Sequence, residues 1–237
     1  MIELITVNNI EKMGSAAASI FAAEIRKKPD IVLGLATGSS PISLYNELSR
    51  LHRDGGLDFS SVRTVNLDEY VGLPPEHSQS YRAFMNEHLF NHINIDPLNT
   101  HVPNGIAPDA LEECKRYDGL VDELGGIDVQ LLGIGANGHI GFNEPSEFFS
   151  KNTSVVSLTS STINANARFF NDKSEVPKEA ITLDIRHIML ARKIILIATA
   201  GKKEILKTAL EGDVTPQVLT SVLQLHQNVT VIFSEEE

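Results

Sequence analysis

Short apolar runs alternate along the chain with longer stretches in which apolar positions recur at helical spacing. Continuous apolar runs are typical of strands that are buried on both faces of a parallel sheet. On this basis we predict strands at residues 4–7, 31–36, 62–67, 127–132, 193–200 and 229–233. The amphipathic stretches between them predict helices at residues 9–28, 41–53, 80–90, 108–124 and 201–210.

Polar residues and prolines mark where several of these helices should begin. We expect Asn8 or Asn9 to cap the first helix, and Ser78 or Ser80 to cap the third. Pro108 should begin the fourth helix, because proline suits a first helical turn.

The repeated order of strand and then helix indicates a mostly parallel sheet with helices on both faces. We therefore predict a single open, Rossmann-like α/β domain over residues 1–237. Periodicity is weakest over residues 142–182, where the sequence is polar and mixed. Such a stretch predicts either a loop-rich subregion or a mobile lid over a site.

The charge balance restricts the partners of this protein. Lys and Arg total 20 against 31 Asp and Glu, which gives a formal net charge of −11. We expect neither nucleic acid nor an anionic membrane as a partner, because both require a basic surface. The first residues lack the pattern of a secretory signal, and the single Cys114 cannot form an internal disulfide. These features predict a cytoplasmic protein.

A polar turn follows the predicted strand at 31–36. Its residues Thr37, Gly38, Ser39 and Ser40 precede a predicted helix. Free backbone N–H groups and hydroxyls at a helix N-terminus can bind phosphate, although Ser39 or Ser40 could equally be an ordinary helix cap. The turn matches neither the nucleotide-binding Walker A loop nor the dinucleotide-binding glycine pattern.

Two further segments follow predicted strands and carry groups that can move protons. Asp68 and Glu69 lie just past the strand at 62–67, where a partly desolvated carboxyl could act as a general base or could cap a helix. A glycine-rich loop contains His139 and is followed by Glu144, so these two side chains could share a proton. A hydrogen-bonded structural histidine is the alternative.

Two basic residues complete the set of candidates. Arg168 and Lys203 could bind phosphate or could be solvated surface charges. The eight histidines show no spacing typical of a metal site, so we predict no metal.

Several motifs in the expected order resemble those of the glucosamine-6-phosphate deaminase (isomerase) family. The matching segments are LGLATGSSP (33–41), NLDEYVGL (66–73), SYRAFM (80–85), GIGANGHIGFNEP (133–145), ANARFF (165–170) and LQLH (223–226). The resemblance extends over nearly the whole chain. It implies conversion of glucosamine 6-phosphate and water to fructose 6-phosphate and ammonia.

The resemblance also implies a role for each matched residue. Asp68 would be the base that moves the proton from C2 to C1, and His139 would open the sugar ring with Asn137 and Glu144 as its partners. The phosphate would be bound by the turn residues Thr37, Gly38, Ser39 and Ser40 together with Arg168 and Lys203. No cofactor or metal is implied, because the substrate's own amine becomes the electron-attracting iminium. Some family members have Asp where this chain has Asn137, which can orient His139 but cannot carry charge.

Two other functions remain open. A 6-phosphogluconolactonase would share the fold and the phosphate turn but would need no base at C2. A sugar-phosphate sensor of a transcription regulator would carry a DNA-binding segment before the first strand, and the acidic charge argues against DNA contact.

The resemblance also bears on regulation. Longer family members are hexamers that N-acetylglucosamine 6-phosphate activates, and basic residues after the FNEP motif bind this effector. The aligned positions here are Ser154 and Val156, with Lys151 as the one basic residue nearby, and the C-terminal extension of the longer forms is missing. We therefore expect no such activation, and a monomer or small homo-oligomer.

Overall fold

The computed structural model describes residues 2–159, 162–163, 167, 170, 172 and 175–236. Seven parallel strands form the main sheet in the spatial order β1-β10-β9-β6-β2-β3-β5. They are β1 (Ile2–Val7), β2 (Val32–Leu35), β3 (Arg63–Asn66), β5 (Thr100–His101), β6 (Val129–Gly133), β9 (Lys193–Ala198) and β10 (Val229–Ser234). All six predicted strands are therefore confirmed, and the short edge strand β5 was missed.

Three further strands form a separate antiparallel sheet in the order β4-β8-β7. These are β4 (Asp68–Tyr70), β7 (Ser154–Ser157) and β8 (Glu179–Thr182). None of these three strands was predicted, and β7 and β8 lie inside the segment predicted to be a loop-rich subregion or lid. β4 follows β3 after the single residue Leu67. The small sheet is thus attached directly to the carboxyl end of the main sheet. The action of 142–182 as a lid stays a prediction.

Helices surround the main sheet, as the mostly parallel α/β fold predicts. They are α1 (Ile10–Lys27), α2 (Ile42–Gly55), α3 (Tyr81–His88), α4 (Ala110–Glu123), α5 (Ile185–Met189) and α6 (Lys203–Glu211). Short 3-10 helices occur at Phe90–His92, Pro97–Asn99, Ala200–Lys202 and Leu219–Leu225. Among the described residues, no helix is both long enough and apolar enough to span a membrane.

The helix starts follow local hydrogen-bond chemistry. Asn9 accepts from the backbone N–H of Lys12, and Ser80 accepts from that of Ala83, as the sequence predicts. The expectation for Pro108 was wrong: Asp109 caps α4 instead, because its carboxylate accepts backbone N–H groups of the first turn. Helix α2 differs from these, since no side chain caps its N-terminus. The N–H of Ile42 donates to the carbonyl of Ser39 at 3.4 Å, and the next N–H groups of the first turn remain available to a ligand.

Helices α1 and α2 pack closely because Gly14 lies at their contact. A Cβ atom at this position would lie 2.5 Å from the carbonyl carbon of Ser43, a backbone atom that cannot rotate away. Gly119 in α4 provides a contrast, since a Cβ there would meet no atom within 4 Å.

This contrast predicts opposite effects of the same substitution. Gly14→Ala should lower the free energy of unfolding by about 1–3 kcal/mol, because the added methyl group separates α1 from α2. Gly119→Ala should raise it by about 0.5–1 kcal/mol, because alanine loses less backbone entropy in a helix. Urea denaturation of both variants and the parent protein measures these changes. Equal changes in the free energy of unfolding for the two substitutions would contradict a close contact of α1 and α2 at Gly14.

Candidate active site

A cavity of about 390 Å³ lies at the carboxyl ends of β2, β3 and β6, where ligands bind in open α/β sheets. Six of the residues predicted from the sequence line it together: Thr37, Gly38, Ser39, Ser40, Asp68 and His139. They come from three separate segments of the chain. The coincidence of strand ends that the sequence analysis identified is thus a single site in the structure.

The turn from Thr37 to Ser40 forms the wall of the cavity at the start of α2. Gly38 has a φ of 101°, a conformation that side-chain-bearing residues rarely adopt. The turn lets the chain pass from β2 into α2 with its backbone facing the cavity. Because α2 lacks a side-chain cap, its free N–H groups and positive dipole end favour a bound anion.

The side chain of Asp68 is the buried carboxyl of the site. Asp68 is only 5% exposed, and its carboxyl makes no hydrogen bond to any residue that the structure describes. Loss of water, and to a smaller extent the neighbouring charge of Glu69, raise the pKa of Asp68 to about 8. A carboxyl with such a pKa can accept and return a proton near neutral pH.

Glu69 has a different task from its neighbour. Its Oε1 accepts the backbone N–H groups of Tyr70 and Tyr81 at 2.9 Å each, and its Oε2 accepts that of Arg82 at 3.0 Å. These bonds fix the first turn of α3 to β4. Burial raises the pKa of Glu69, and the three backbone hydrogen bonds oppose this effect. Glu69 is therefore the cap that the sequence analysis held open as an alternative, and Asp68 alone lines the cavity.

His139, Asn137 and Glu144 form a hydrogen-bonded chain. Asn137 Nδ2 donates to Glu144 Oε2 at 2.7 Å, and Asn137 Oδ1 lies 2.7 Å from His139 Nδ1. Because a carboxylate only accepts, the amide nitrogen must face Glu144 and the amide oxygen must face the imidazole. The proton of neutral His139 then lies on Nδ1, which leaves Nε2 free to accept a proton.

Glu144 completes this chain as an ionised group. The nearby imidazole of His139 and the hydrogen bonds from Asn137 and Thr162 hold the pKa of Glu144 below its usual range, against the opposing effect of burial. Its Oε2 also lies 3.6 Å from His139 Nδ1. Its carboxylate therefore lies beside the imidazole.

A glycine allows the imidazole to lie flat on the loop. A Cβ atom at Gly135 would overlap the ring of His139, so no larger residue fits there. Gly141 has a φ of 59°, and a Cβ there would lie 2.9 Å from Asp68 Oδ2. Both glycines thus permit backbone to approach the two groups that can move protons.

The basic candidates have different positions. Lys202, at the end of the Ala200–Lys202 3-10 helix, lines the cavity, whereas Lys203 is exposed at the first residue of α6 and is not part of the described lining. Lys202 was not predicted, because sequence spacing cannot tell which of two adjacent lysines lines the cavity. Arg168 lies outside the described residues. The roles predicted for Lys203 and Arg168 stay predictions.

A Rossmann-like sheet with an uncapped helix N-terminus, a buried carboxyl and a histidine at one cavity is typical of α/β enzymes that act on small phosphorylated molecules. The particular family follows from comparison with known proteins. The chain belongs to the glucosamine-6-phosphate isomerase/6-phosphogluconolactonase family, whose model matches residues 8–232.

Individual relatives are similar over almost their whole length. A glucosamine-6-phosphate deaminase of Lachnoclostridium phytofermentans is 55% identical over 231 residues, which cover 97% of this chain and 98% of the relative. One of Clostridium perfringens is 52% identical over 234 residues, with 98% and 97% covered. The solved structure of a monomeric glucosamine-6-phosphate deaminase has a TM-score of 0.96 at 44% identity and covers 99% of this chain and 98% of its own.

Lactonases are more distant. The 6-phosphogluconolactonase of Trypanosoma brucei has a TM-score of 0.78 at 20% identity, with 100% of this chain and 97% of that chain covered. This likeness shows a shared fold alone.

The burial of Asp68 predicts a stability that depends on pH. A carboxyl whose pKa is raised by folding contributes stability below its unfolded value near 4, and this contribution is lost as the pH rises towards its folded value. Asp68→Asn cannot ionise, so it should stabilise the protein by an amount that is smallest near pH 4 and grows to several kcal/mol by pH 9. Thermal denaturation across this pH range measures the difference.

Asp58→Asn is the control for this measurement. The N–H of Ser60 and the side chain of Asn94 hold the pKa of Asp58 below its usual value, so removal of this carboxylate should cost stability above pH 4. A pH-independent effect of Asp68→Asn would contradict a desolvated carboxyl.

Proposed function

We propose that this protein is a glucosamine-6-phosphate deaminase, which converts glucosamine 6-phosphate and water to fructose 6-phosphate and ammonia. One observation carries the proposal: a buried carboxyl, Asp68, and an oriented imidazole, His139, line the same cavity as an anion-binding turn. The names of the relatives that are more than half identical to the chain support it.

The phosphate end of the substrate binds at the start of α2. Thr37, Gly38, Ser39, Ser40 and Lys202 line the cavity, and their hydroxyls, backbone N–H groups and ammonium are the groups that would bind the phosphate. Arg168 and Lys203 remain proposed contributors from outside this lining. Held by its phosphate, the sugar extends across the cavity towards Asp68 and His139.

Ring opening falls to His139. Its free Nε2 accepts the proton of the C1 hydroxyl and returns a proton to the ring oxygen as the C1–O5 bond breaks and the C1 carbonyl forms. Asn137 holds the Nδ1–H tautomer, and the charge of Glu144 stabilises the imidazolium between the two transfers.

Isomerisation falls to Asp68. The ionised carboxyl takes the proton from C2, and the electron pair of that C–H bond forms the C1–C2 double bond. The π pair of the C1 carbonyl moves to O1, which takes a proton from the ammonium group of the substrate, so that the enolamine forms. Asp68 then returns the proton to C1, which leaves an iminium at C2. Water adds to this iminium, and the C2–N bond breaks to release ammonia and the ketose. The amine of the substrate supplies the electron-attracting group for this sequence.

The alternative hydrolysis of a sugar lactone needs no proton acceptor at C2. The burial of Asp68 against the cavity is therefore better explained by deamination than by lactone hydrolysis. We further propose that the enzyme acts as a monomer in the cytoplasm, a state supported by the monomeric deaminase with the same fold.

An ammonia-release assay on glucosamine 6-phosphate, with fructose 6-phosphate measured in parallel, tests the proposal. Asp68→Asn should lower kcat by about 10²–10⁴-fold, because the carbon acid loses its base. Fructose 6-phosphate should still bind this variant in a calorimetric titration, since the phosphate turn is intact. Hydrolysis of 6-phosphogluconolactone by the wild-type protein without ammonia release from the amino sugar would overturn the proposal in favour of a lactonase.

The small sheet bears on whether the enzyme is activated by N-acetylglucosamine 6-phosphate. Ser154 and Val156 lie in β7 opposite Thr182 and Ala180, and Val156 packs against the apolar cluster around Tyr70. Neither position offers a cation to a phosphate. Rate curves should therefore be hyperbolic, and N-acetylglucosamine 6-phosphate should leave them unchanged. Sigmoidal curves that become hyperbolic on its addition would contradict this, because linkage requires a second binding site.

A further inference from the structure

Thr182 lies directly opposite Asp68 in the small sheet. The two residues are register partners in the antiparallel β4–β8 pair. Opposite residues of such a pair project to the same face, with Cβ atoms about 5 Å apart. Thr182 is fully buried, so its hydroxyl cannot turn to solvent. The neighbour of Asp68 across the sheet is thus a hydroxyl without access to water.

The hydroxyl oxygen of Thr182 is already occupied as an acceptor. The backbone N–H of Phe142 donates to Oγ1 at 3.2 Å, and Asn143 Nδ2 donates to it at 3.3 Å. Asn143 is itself fixed, because its Oδ1 accepts from Ser150 and its Nδ2 shares two protons among Thr182 and the carbonyls of Leu183 and Ile140, which lie at 2.8 and 3.2 Å. Since both contacts of Thr182 Oγ1 come from N–H donors, the hydroxyl proton must point elsewhere. No residue in the described part of the chain accepts it.

Gly141 brings the two side chains to one point. A Cβ atom on this glycine would lie 2.9 Å from Asp68 Oδ2 and 3.2 Å from Thr182 Oγ1. The carboxylate oxygen and the hydroxyl oxygen therefore both border the space that a Cβ atom on Gly141 would fill. An unused donor and an unused acceptor lie together beneath the loop that carries His139.

We propose that Thr182 is a positioning residue for Asp68: the two side chains are not bonded in this structure, and when the carboxyl ionises the Thr182 hydroxyl donates a hydrogen bond to Oδ2 and aims the other oxygen at C2 of the substrate. The Phe142 N–H and the Asn143 amide hold the hydroxyl oxygen, so that its proton faces Asp68. This inference rests on the proposed function, because it assigns the base of the isomerisation a partner that favours its charged form.

Other ionisable groups surround Asp68 on every side. Glu69 and Tyr70 belong to its own strand, and Tyr81 and Tyr117 approach from α3 and α4. His139 and Lys202 line the same cavity. Glu69, Tyr117 and His139 make their hydrogen bonds to groups other than Asp68. Their effects are present in every variant at position 182, so a comparison among those variants isolates the hydroxyl.

The test compares Thr182→Val, which keeps the shape and removes the hydroxyl, with Thr182→Ser, which keeps the hydroxyl. In the valine variant the Asp68 pKa should rise, because the ionised carboxylate loses a hydrogen bond. The acid limb of the kcat/KM pH profile should therefore shift to higher pH by about one unit, and kcat near neutral pH should fall about ten-fold. KM should remain within about two-fold of the wild-type value, because the phosphate turn is unaltered. In the serine variant the pH midpoint of the acid limb and kcat should both return to the wild-type values.

Carboxyl ¹³C NMR titration of Asp68, assigned with Asp68→Asn, measures the contact without relying on turnover. The Asp68 pKa should rise in Thr182→Val and in Thr182→Ala, and should return to the wild-type value in Thr182→Ser. Thr182→Ala removes the hydroxyl without adding a methyl group, so it serves if the valine variant does not fold.

The outcomes separate this inference from the proposed function. An unchanged Asp68 titration in a folded variant without the hydroxyl overturns the inference, even where activity falls. A wild-type protein that releases no ammonia overturns the proposed function, while the titration still decides whether Thr182 bonds to Asp68. Loss of activity in both Thr182→Val and Thr182→Ser with an unshifted pH profile would indicate a structural role and would also overturn the inference.

Discussion

The carboxyl of Asp68 lies where the parallel sheet meets the small antiparallel sheet, and protein atoms shield it almost completely from solvent. Its nearest charged neighbour in the strand, Glu69, has the same sign and favours the protonated form. The resting site thus holds a neutral acid near neutral pH. An amino sugar that brings a positive amine beside C2 would favour ionisation of this carboxyl at the moment when a base is needed. Binding of the substrate and ionisation of the Asp68 carboxyl are therefore coupled through the charge of the amine.

The loop that carries His139 fixes the Nδ1–H tautomer of the imidazole, and it does so with a neutral amide, Asn137, in place of a second carboxylate. Asn137 can be assigned in only one way, because Glu144 needs a donor and the amide oxygen is then left for His139. An aspartate at position 137 would place two carboxylates against each other beside the imidazole. The neutral amide transmits the orientation of Glu144 to the ring and leaves a single negative charge in the chain.

Sequence patterns predicted the parts of the structure that depend on local chemistry. Continuous apolar runs identified the long buried strands, and the polar strand ends identified Asp68, His139 and the turn at 37–40. The small sheet escaped because β4 is short and its partners β7 and β8 are far away in sequence, so no local period marks them. The division of work between Asp68 and Glu69 depends on strand alternation in β4, which no pattern in the residues LDEY reveals. The choice between Lys202 and Lys203 depends on where a 3-10 turn passes into α6.

The antiparallel sheet also explains how a carboxyl can be kept in place although its burial costs free energy of desolvation. β4 is tied to the main sheet through Leu67, whose N–H donates to the carbonyl of Leu35 and whose carbonyl accepts the N–H of Leu183. The base is therefore held between two pairs of strands, and its side chain has little freedom to turn away from the cavity. The carboxyl must carry its desolvation cost in the resting state, and the apolar core beneath the sheet offsets that cost. Rigid backbone on both sides of Asp68 is what converts an unfavourable burial into an accurately placed base.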